Sequence, residues 1–430
     1  MYILPSIRFL LTVHDLPKTH LEKLDTHCDQ YLKKWAGLPR SATTALLHLN
    51  TALDIKKIST LYYEAHTVTH TSTRLIGDYK VNQSLDNRLE RESEFTRKQS
   101  VTVMAEANYQ FARRMNLVQG EIPTNPADLT LSEVVLTLPK EGVEKQSKFI
   151  SEVKADVKAK VLSDENQKTF LHVKSLVQQG KFLELTYIEQ NDATWKSYIF
   201  DLPRGTMKWL LNSSINTLPT KANLKLWGKV ANDKCHCGRK QTLNHILSCC
   251  KKSLEDGRFT FRHDNILKYI HTCLDHTKFK VYVDIDGSQT PAGGTLPPEV
   301  LVTNLKPDIV IIDRKSKAVD VFELTVPGEH RIEISNKLKT EKYQHLLRDI
   351  KSYKPSLAAF EIGAQTGYIS NQNKKTIGSI HKYCQKNIKL KKFTNNISAI
   401  TVLSSYYIFN CRNYSDWEKS DYISAPFPNQ

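Results

Sequence analysis

The chain has 430 residues, of which 40% are hydrophobic, enough for roughly two to four domains with buried cores. Lysine and arginine number 61 against 45 aspartate and glutamate, so the formal net charge is +16 at pH 7. This excess favours a polyanionic partner such as nucleic acid, because each neutralised phosphate releases a counterion. No apolar run approaches the length of a membrane span, so we predict no membrane partner.

The cysteines and the N-terminus indicate a reducing compartment. Four of the eight cysteines crowd into residues 235–250, whereas a secreted disulfide framework would look different in so long a chain. The apolar run MYILPSIRFLLTV is interrupted by Arg8 and lacks both a basic leader and a small-residue cleavage site. We therefore predict a buried N-terminal strand and an intracellular, unsecreted protein. The scattered cysteines are Cys28, Cys273, Cys384 and Cys411.

The N-terminal half has the spacing of helices. Residues 20–34 carry apolar side chains on one helical face. Residues 120–145 contain several prolines and predict a linker with one strand at 131–138. Two further helical runs follow, which we interpret as core-facing helices of a bundle. Their apolar positions are Phe149, Val153, Val157 and Val161, then Phe170, Val173 and Val177, with an end near Gly180.

Residues 181–230 mix aromatic and basic side chains. Bases stacked on aromatic rings beside phosphate-binding lysines are one interpretation. Core aromatics with lysines at their rim are an equally good one. Pro219 and Thr220 predict the start of a helix that runs to Trp227. The other aromatic residues are Trp195, Tyr198, Phe200 and Trp209, among Lys196, Arg204, Lys208, Lys221, Lys225 and Lys229.

The segment KCHCGRKQTLNHILSCC, residues 234–250, has the spacing of a zinc site. Cys235 and Cys237 precede His245 and Cys250, and three thiolates with one imidazole are a tetrahedral zinc set. Such a fully ligated ion would be structural rather than catalytic, and it would fold a segment too small to fold alone.

Two other residues compete for places in this set. Cys249 lies four residues after His245, an offset that keeps both on one helical face, whereas Cys250 requires the helix to end first. His236, between the first two cysteines, is a further competitor. Gly238 lets the chain turn tightly after the first pair.

The C-terminal half alternates strands and helices in the order helix, three strands, helix, strand, helix. That order predicts a compact α/β unit around a mixed sheet. Residues 258–274 are predicted to be a strand or turn that leads into a helix. The predicted strands are 278–285, 308–313, 319–326 and 357–362, and the later helices are 333–351, 374–384 and 398–409.

Two carboxylates in these strands are candidate metal ligands. Strand periodicity puts Glu323 and Asp320 on opposite faces, and Glu323 lies deeper among apolar residues. A carboxylate there is costly unless it is paired or bound to metal. Asp308 opens the preceding strand after Pro307, so neighbouring strands would bring it close to Glu323. Carboxylate oxygens suit Mg²⁺ or Mn²⁺.

The helix after these strands supplies cations. Lys339, Lys342 and Tyr343 are three and four residues apart, so they share a helical face. A lysine that reaches the acids could orient the attacking water or stabilise phosphorane charge. The alternative is a solvated basic helix beside two acids without a catalytic role.

Taken in order, these motifs resemble the C-terminal part of site-specific non-LTR retrotransposon polyproteins, which end in a restriction-like endonuclease of the PD-(D/E)xK superfamily. The resemblance covers nearly the whole chain. It lies in KKWAGLPRSAT (33–43), TLPTKANLKLWGK (217–229), CHCG with HILSCC, RFTFRHD (258–264), KPD (306–308) and KTEKY (339–343).

The resemblance implies an α+β multidomain chain with a helical N-terminal half. Residues 1–115 would be a thumb-like region and 116–230 a helical linker with a basic and aromatic segment. Residues 231–255 would be the CCHC zinc knuckle. Residues 256–415 would be the restriction-endonuclease-like domain with a mixed sheet, followed by a tail at 416–430.

The resemblance also assigns roles to residues. Asp308 and Glu323 would be the metal-binding acids of the nuclease. The superfamily often places its lysine two residues after the second acid, but Thr325 stands there. Lys339 is the replacement that we predict, with Lys342 second. The residues predicted to contact nucleic acid are Lys221, Lys225, Trp227, Arg239, Lys240, Arg262 and His263.

The predicted function is a metal-dependent DNA endonuclease that nicks its target and leaves a 3′-hydroxyl for target-primed reverse transcription. We expect structural zinc, catalytic Mg²⁺ or Mn²⁺, DNA and element RNA as partners, no small-molecule substrate, and a nuclear location after cytoplasmic synthesis. No acidic doublet is present and no palm precedes the thumb-like region, so the chain should not polymerise. The alternative is an inactive nucleic-acid-binding remnant or a domesticated binding protein.

Overall fold

A computed structural model describes residues 3–14, 16–76, 78–81, 83–84, 87, 143–414 and 417. The chain divides into two compact units. The first unit comprises Met1–Trp35 and Leu47–Ser175, and the second comprises Ala36–Leu46 and Leu176–Gln430. The predicted strand at 131–138 lies outside the described residues. The domain boundaries that the resemblance implies stay predictions.

The N-terminal part of the chain is helical, and its first element differs from the sequence prediction. The predicted N-terminal strand is a helix, in which Leu11 packs with Leu21, Leu61 and Tyr62 while Arg8 forms an ion pair with Glu64. The helices are α1 (Ile3–Val13), α2 (Lys18–Ala36), α3 (Ala45–His48), α4 (Ile58–Ile76) and α5 (Val143–Ser175).

The two helical runs predicted after residue 145 form one helix. Helix α5 has 33 residues, and Phe149, Val153 and Val173 are buried along it. Val177 was predicted to continue the second run, but it lies beyond the helix and is 84% exposed. Gly180 instead precedes the next helix.

The second unit contains the remaining helices. Thr220 caps the helix that begins at Lys221, as its sequence predicts, since its hydroxyl accepts a hydrogen bond of 3.1 Å from the Asn223 N–H. The helices are α6 (Lys181–Ile188), α7 (Arg204–Ser214), α8 (Lys221–Leu226), a π-helix (His245–Cys249), α9 (Lys251–Glu255), α10 (Arg258–Cys273), α11 (Ile332–Tyr343), α12 (Leu346–Asp349), α13 (Asn371–His381) and α14 (Leu390–Asn410).

Three predicted boundaries in this unit need correction, one of them the start of the last helix, which is Leu390 rather than residue 398. The stretch predicted as a strand or turn before α10 is helical from Arg258 onwards, because Gly257 at φ +74° supplies the left-handed residue that precedes the helix. The helix predicted over 333–351 is broken into α11 and the short α12.

A four-stranded mixed sheet forms the centre of the second unit. Its strands are β1 (Lys280–Val283), β2 (Ile309–Asp313), β3 (Ala318–Thr325) and β4 (Lys354–Glu361), and they lie in chain order. The pairs β1–β2 and β2–β3 are antiparallel, whereas β3 and β4 are parallel. The β3–β4 connection contains α11, as a parallel pair needs a crossover. The prediction of a mixed sheet with flanking helices is confirmed.

Helices cover both faces of the sheet, so its central strands are apolar on both sides. Ile309, Ile311, Phe322 and Leu324 pack with residues of α10, α13 and α14. The opposite face, which includes Val321, packs with Tyr343, Leu346 and Ile350. Since side chains alternate along a strand, Glu323 lies on this second face, beneath α11.

Most of the aromatic residues of the segment 181–230 are core residues. Trp195, Tyr198 and Trp209 are buried, which favours the core interpretation for them. Phe200 and Trp227 remain exposed, at 62% and 42%. The two interpretations of this segment therefore apply to different residues.

We predict that Gly367→Ala lowers the free energy of unfolding by more than about 2 kcal/mol. Gly367 has φ +66°, and an added Cβ would lie 2.6 Å from the Ser398 hydroxyl and 2.7 Å from the Ser398 carbonyl oxygen. Gly378→Ala is the matched control within α13, where nothing lies within 4 Å of the added carbon. It should be neutral or stabilise by up to about 1 kcal/mol. Urea denaturation measures both, and equal effects would contradict the prediction.

Candidate active site and candidate metal centre

Four residues of the cysteine-rich segment come together at one point. The ligand atoms of Cys235, Cys237, His245 and Cys250 all lie within 4.8 Å of one another. Sγ of Cys235 and Sγ of Cys250 are 3.8 Å apart, and Sγ of Cys237 lies 3.2 Å from Nε2 of His245. The structure thus brings together the four ligands that the spacing predicted.

A tight turn places the first two cysteines. The Cys235 N–H donates to the Arg239 carbonyl at 2.7 Å, and the Gly238 N–H donates to the Cys235 carbonyl at 2.9 Å. Gly238 has φ +83°, a conformation that side chains other than glycine rarely adopt. Both sulfurs therefore project to the same side of the turn.

A π-helix places the other two ligands and decides between Cys249 and Cys250. In an α-helix an offset of five residues points about 140° away, but a π-helix closes its hydrogen bonds at i→i+5. The π-helix spans His245–Cys249 and ends directly before Cys250, whose extended backbone leaves its sulfur in the cluster with His245. Cys249 instead accepts a weak hydrogen bond from the Asn244 amide at 3.6 Å. His236 is exposed and outside the cluster.

The geometry of this cluster fits zinc. Two sulfurs that are each 2.3 Å from a tetrahedral ion lie about 3.8 Å apart, close to the separation of Cys235 and Cys250. Burial, followed by the charge of Arg239, lowers the pKa of His245, which keeps its imidazole neutral and able to bind metal. The Cys₃His set could therefore hold a zinc ion.

We predict that Cys250→Ser removes bound zinc and that Cys249→Ser does not. The first change replaces a ligand of the cluster, while the second removes a neighbouring thiol that lies outside it. Zinc content by elemental analysis of the purified full chains, with melting temperatures, distinguishes them. Loss of zinc from Cys249→Ser, with retention by Cys250→Ser, would reverse the ligand assignment.

The two predicted acids lie side by side, Asp308 directly before β2 and Glu323 within β3. They are only 6% and 1% exposed. The Asp308 N–H donates to Oε2 of Glu323 at 3.0 Å, and the Leu324 N–H donates to Oδ2 of Asp308 at 2.7 Å. Each carboxylate thus accepts a hydrogen bond from the backbone of the other strand. This reciprocal pairing fixes both acids on the face beneath α11.

A cation approaches each acid. Lys339 of α11 donates to Oε1 of Glu323 at 2.5 Å, and Nε2 of His263 lies 3.3 Å from Oδ2 of Asp308. Burial and the charge of Asp308 raise the pKa of Glu323, while Lys339 opposes this shift. Burial lowers the pKa of His263, but Asp308 and Asp264 outweigh it and raise that pKa to about 10. Each of the two acids therefore has a positively charged side chain beside it, Lys339 for Glu323 and His263 for Asp308.

The second predicted lysine does not reach the acids. Lys342 donates to the Tyr343 hydroxyl at 2.9 Å and lies over that ring, 4.5 Å from its centroid. Tyr343 is buried and donates to the Lys306 carbonyl at 3.2 Å. Lys339 is accordingly the helix lysine in contact with the acid pair, and Lys342 packs beside it.

A third buried acid on this face was not among the sequence predictions. Glu361 ends β4, is 1% exposed, and accepts a hydrogen bond of 3.0 Å from the Asn336 amide of α11. Burial raises its pKa to about 7, against opposing contributions from Asn336, Asn373 and Lys339. The sequence pattern could have identified it, because Glu361 interrupts an apolar strand as Glu323 does.

We predict that Glu361 makes folding stability depend on pH. Its pKa is about 7 in the folded chain against 4.5 for the ordinary group, so the folded state holds its proton more tightly. Stability relative to Glu361→Gln should therefore fall as pH rises from about 4.5 through 7, by up to about 3 kcal/mol. Urea denaturation of both chains across this range measures the difference. A difference that stays constant with pH would contradict the assignment.

The residues predicted to contact nucleic acid divide by exposure. Arg262 is 1% exposed, and its guanidinium donates to the Leu247 and Val326 carbonyls at 2.8 and 3.1 Å. Arg262 is therefore not accessible to nucleic acid and has a structural role instead. The neighbouring His263 faces Asp308. The exposed members of the set are Lys225, Trp227, Arg239 and Lys240, while Lys221 is half-buried.

Comparison with known proteins gives no match to a family model or to a curated sequence. Within the described ranges, no helix is long and apolar enough to cross a membrane.

Proposed function

We propose that this chain is a metal-dependent DNA endonuclease whose active site is the acid pair with Lys339. The observation that carries the proposal is the reciprocal hydrogen bonding of Asp308 and Glu323 on one face of the sheet, with the Lys339 amine 2.5 Å from Glu323. Two neighbouring buried carboxylates repel each other and favour a cation between them. Burying two carboxylates together is costly for folding, and a bound divalent cation would offset part of that cost.

The order of elements supports a restriction-endonuclease-like fold. Helix α10 is followed by three strands in antiparallel contact, then α11, then a fourth strand parallel to the third. This is the helix, three strands, helix and strand that the resemblance to the PD-(D/E)xK superfamily implies. The acids lie at neighbouring positions of β2 and β3, where that resemblance assigns the metal ligands.

The residues fit a hard divalent cation. Mg²⁺ binds through few carboxylates and keeps several waters, so a pair of acids suffices when phosphate and water complete the shell. An ion held by Asp308 and Glu323 would supply Lewis acidity for water activation and for the leaving oxygen. Lys339 would donate hydrogen bonds to charge that develops on the phosphate. His263 and the Leu324 N–H would hold the Asp308 carboxylate in place.

Nucleic acid is the substrate that the charge supports. The formal net charge of +16 favours a polyphosphate, and a cluster that could hold zinc lies in the same unit as the acid pair. Trp227 offers an exposed ring close in sequence to Lys225, and Arg239 and Lys240 are exposed near the cluster. These side chains would contact the phosphate backbone and stack on bases.

The resemblance supplies the biological setting of the proposal. The chain would nick target DNA in the nucleus, leave a 3′-hydroxyl for reverse transcription, bind element RNA, and derive from a non-LTR retrotransposon. A binding protein without cleavage activity is the second candidate, favoured by Thr325 at the position where a lysine often stands.

The decisive experiment compares plasmid nicking by the full chain, Asp308→Asn and Asp320→Asn in Mg²⁺. Asp308→Asn should lower the rate at least about a thousandfold, since it removes one of two metal ligands. Asp320→Asn is the matched control, because Asp320 lies on the opposite face of β3 with Ser356 and Tyr383.

The outcomes separate the two candidates. Nicking that Asp308→Asn leaves intact would refute the site assignment. Salt-dependent DNA binding without a Mg²⁺-dependent product would favour the binding protein.

A further inference from the structure

Glu323 and Glu361 face α11 from neighbouring parallel strands. In the β3–β4 register Glu323 pairs with Ala359, and Thr325 pairs with Glu361. Glu361 is therefore displaced from Glu323 by two residues along the strands and lies on the same face. Lys339 binds Glu323, while Asn336 binds Glu361 at 3.0 Å and the Ala359 carbonyl at 3.2 Å. Since Asn336 and Lys339 are three residues apart, one helical face serves both acids.

Two buried oxygens at the paired positions have no hydrogen-bond partner among the described residues. They are Oε1 of Glu361 and Oγ1 of Thr325. A buried polar atom without a partner costs about 1–3 kcal/mol, and more when it is charged. Because Thr325 and Glu361 are paired across β3 and β4, these two oxygens offer an acceptor site to a donor that is placed elsewhere in this structure.

Lys339 is the donor that fits this site. Its ammonium group carries three N–H donors, and its charge already lowers the pKa of Glu361, so the two groups are within electrostatic reach. Lys342, the next lysine on the same helical face, donates to Tyr343 instead. Asn336 uses its amide on Oε2 of Glu361, which leaves Oε1 for another group.

The present contact of Lys339 conflicts with the proposed metal site. The ammonium group occupies Oε1 of Glu323, while Oε2 accepts from the Asp308 N–H. A divalent cation that binds Glu323 must therefore compete with Lys339, and it also repels that ammonium group. A second acidic site nearby lowers the cost of moving the lysine.

We propose that the Lys339 ammonium moves from Glu323 to Glu361 and Thr325 when a divalent cation binds Asp308 and Glu323. Glu361 is then a positioning residue that acts through Lys339 and does not touch the metal ion. The inference rests on the proposed function, since it takes the acid pair as the cation site. It adds a role for Glu361 and Thr325 that the resemblance did not assign.

The test measures Mn²⁺ binding by isothermal titration at pH 8 to the full, zinc-loaded chain without DNA. We expect Glu361→Gln to raise the dissociation constant at least tenfold, because Lys339 stays on Glu323 and competes. Lys339→Met should bind Mn²⁺ at least as tightly as the unmodified chain. The double variant should match Lys339→Met, because Glu361 matters only while the lysine is present.

Two changes control for general effects. Glu329→Gln neutralises another buried acid, which accepts hydrogen bonds from Thr366, and it should leave the dissociation constant unchanged. Lys337→Met removes an exposed lysine from the same helix and should also have no effect. Thr325→Val, which deletes the other acceptor, should raise the dissociation constant about threefold. Thermal melts identify any variant that fails to fold.

Three outcomes would overturn the proposal. If Glu361→Gln binds Mn²⁺ as the unmodified chain does while Asp308→Asn abolishes binding, the lysine shift is wrong and the proposed acid pair stands. If Glu361→Gln weakens binding equally with and without Lys339, Glu361 acts on the metal directly. If the unmodified chain binds no Mn²⁺, the shift and the proposed metal site both fail.

Discussion

The reciprocal hydrogen bonds of Asp308 and Glu323, where β2 begins beside β3, fix the arrangement of the buried charges in the second unit. Asp308 and Glu323 each accept from the backbone of the opposite strand, so the β2–β3 register fixes both carboxylates at once. Hydrogen bonding to backbone N–H groups offsets part of the desolvation cost of these buried acids. The remaining charge is met by His263 from α10 and Lys339 from α11. Both helices are therefore held against the sheet by the acids as well as by apolar packing.

The same constraint explains how the unit divides its two faces. The face packed by α10, α13 and α14 is apolar at its centre, around Phe322 and Leu324, and carries Asp320 nearer its edge. The face beneath α11 is apolar only in part. Val310 and Val321 belong to its apolar cluster, and the acids lie next to them along the same strands. Apolar residues stabilise this face at one end, and charged residues occupy the other. Solvent has access there through Lys339, whose side chain is 29% exposed.

Strand alternation and cysteine spacing made much of this site predictable. The pattern separated Glu323 from Asp320, and KTEKY gave Lys339, which the structure places on Glu323. The spacing predicted Cys250 but left Cys249 as a competitor, because an α-helical offset favours Cys249. The structure decides for Cys250, because the helix ends at Cys249 and Cys250 follows it in an extended conformation. Arg262 was wrongly predicted to contact nucleic acid, because a basic side chain suggests phosphate binding. Its burial depends on partners that are distant in sequence, such as the Val326 carbonyl. The N-terminal helix was missed because a short apolar run does not distinguish a strand from a helix.

Arg262 also links the cysteine-rich segment to the sheet, so that neither is a separate folding unit. Its guanidinium joins the π-helix carbonyl of Leu247, the end of β3 at Val326, and Ser405 of α14. These partners are far apart in sequence, so the cysteine-rich turn and the sheet share one buried cation. A cut near residue 256 would leave that cation without one of its acceptors in a dry interior, a costly state. The cysteine-rich segment and the sheet should therefore unfold together. A fragment that is to fold by itself would have to include both.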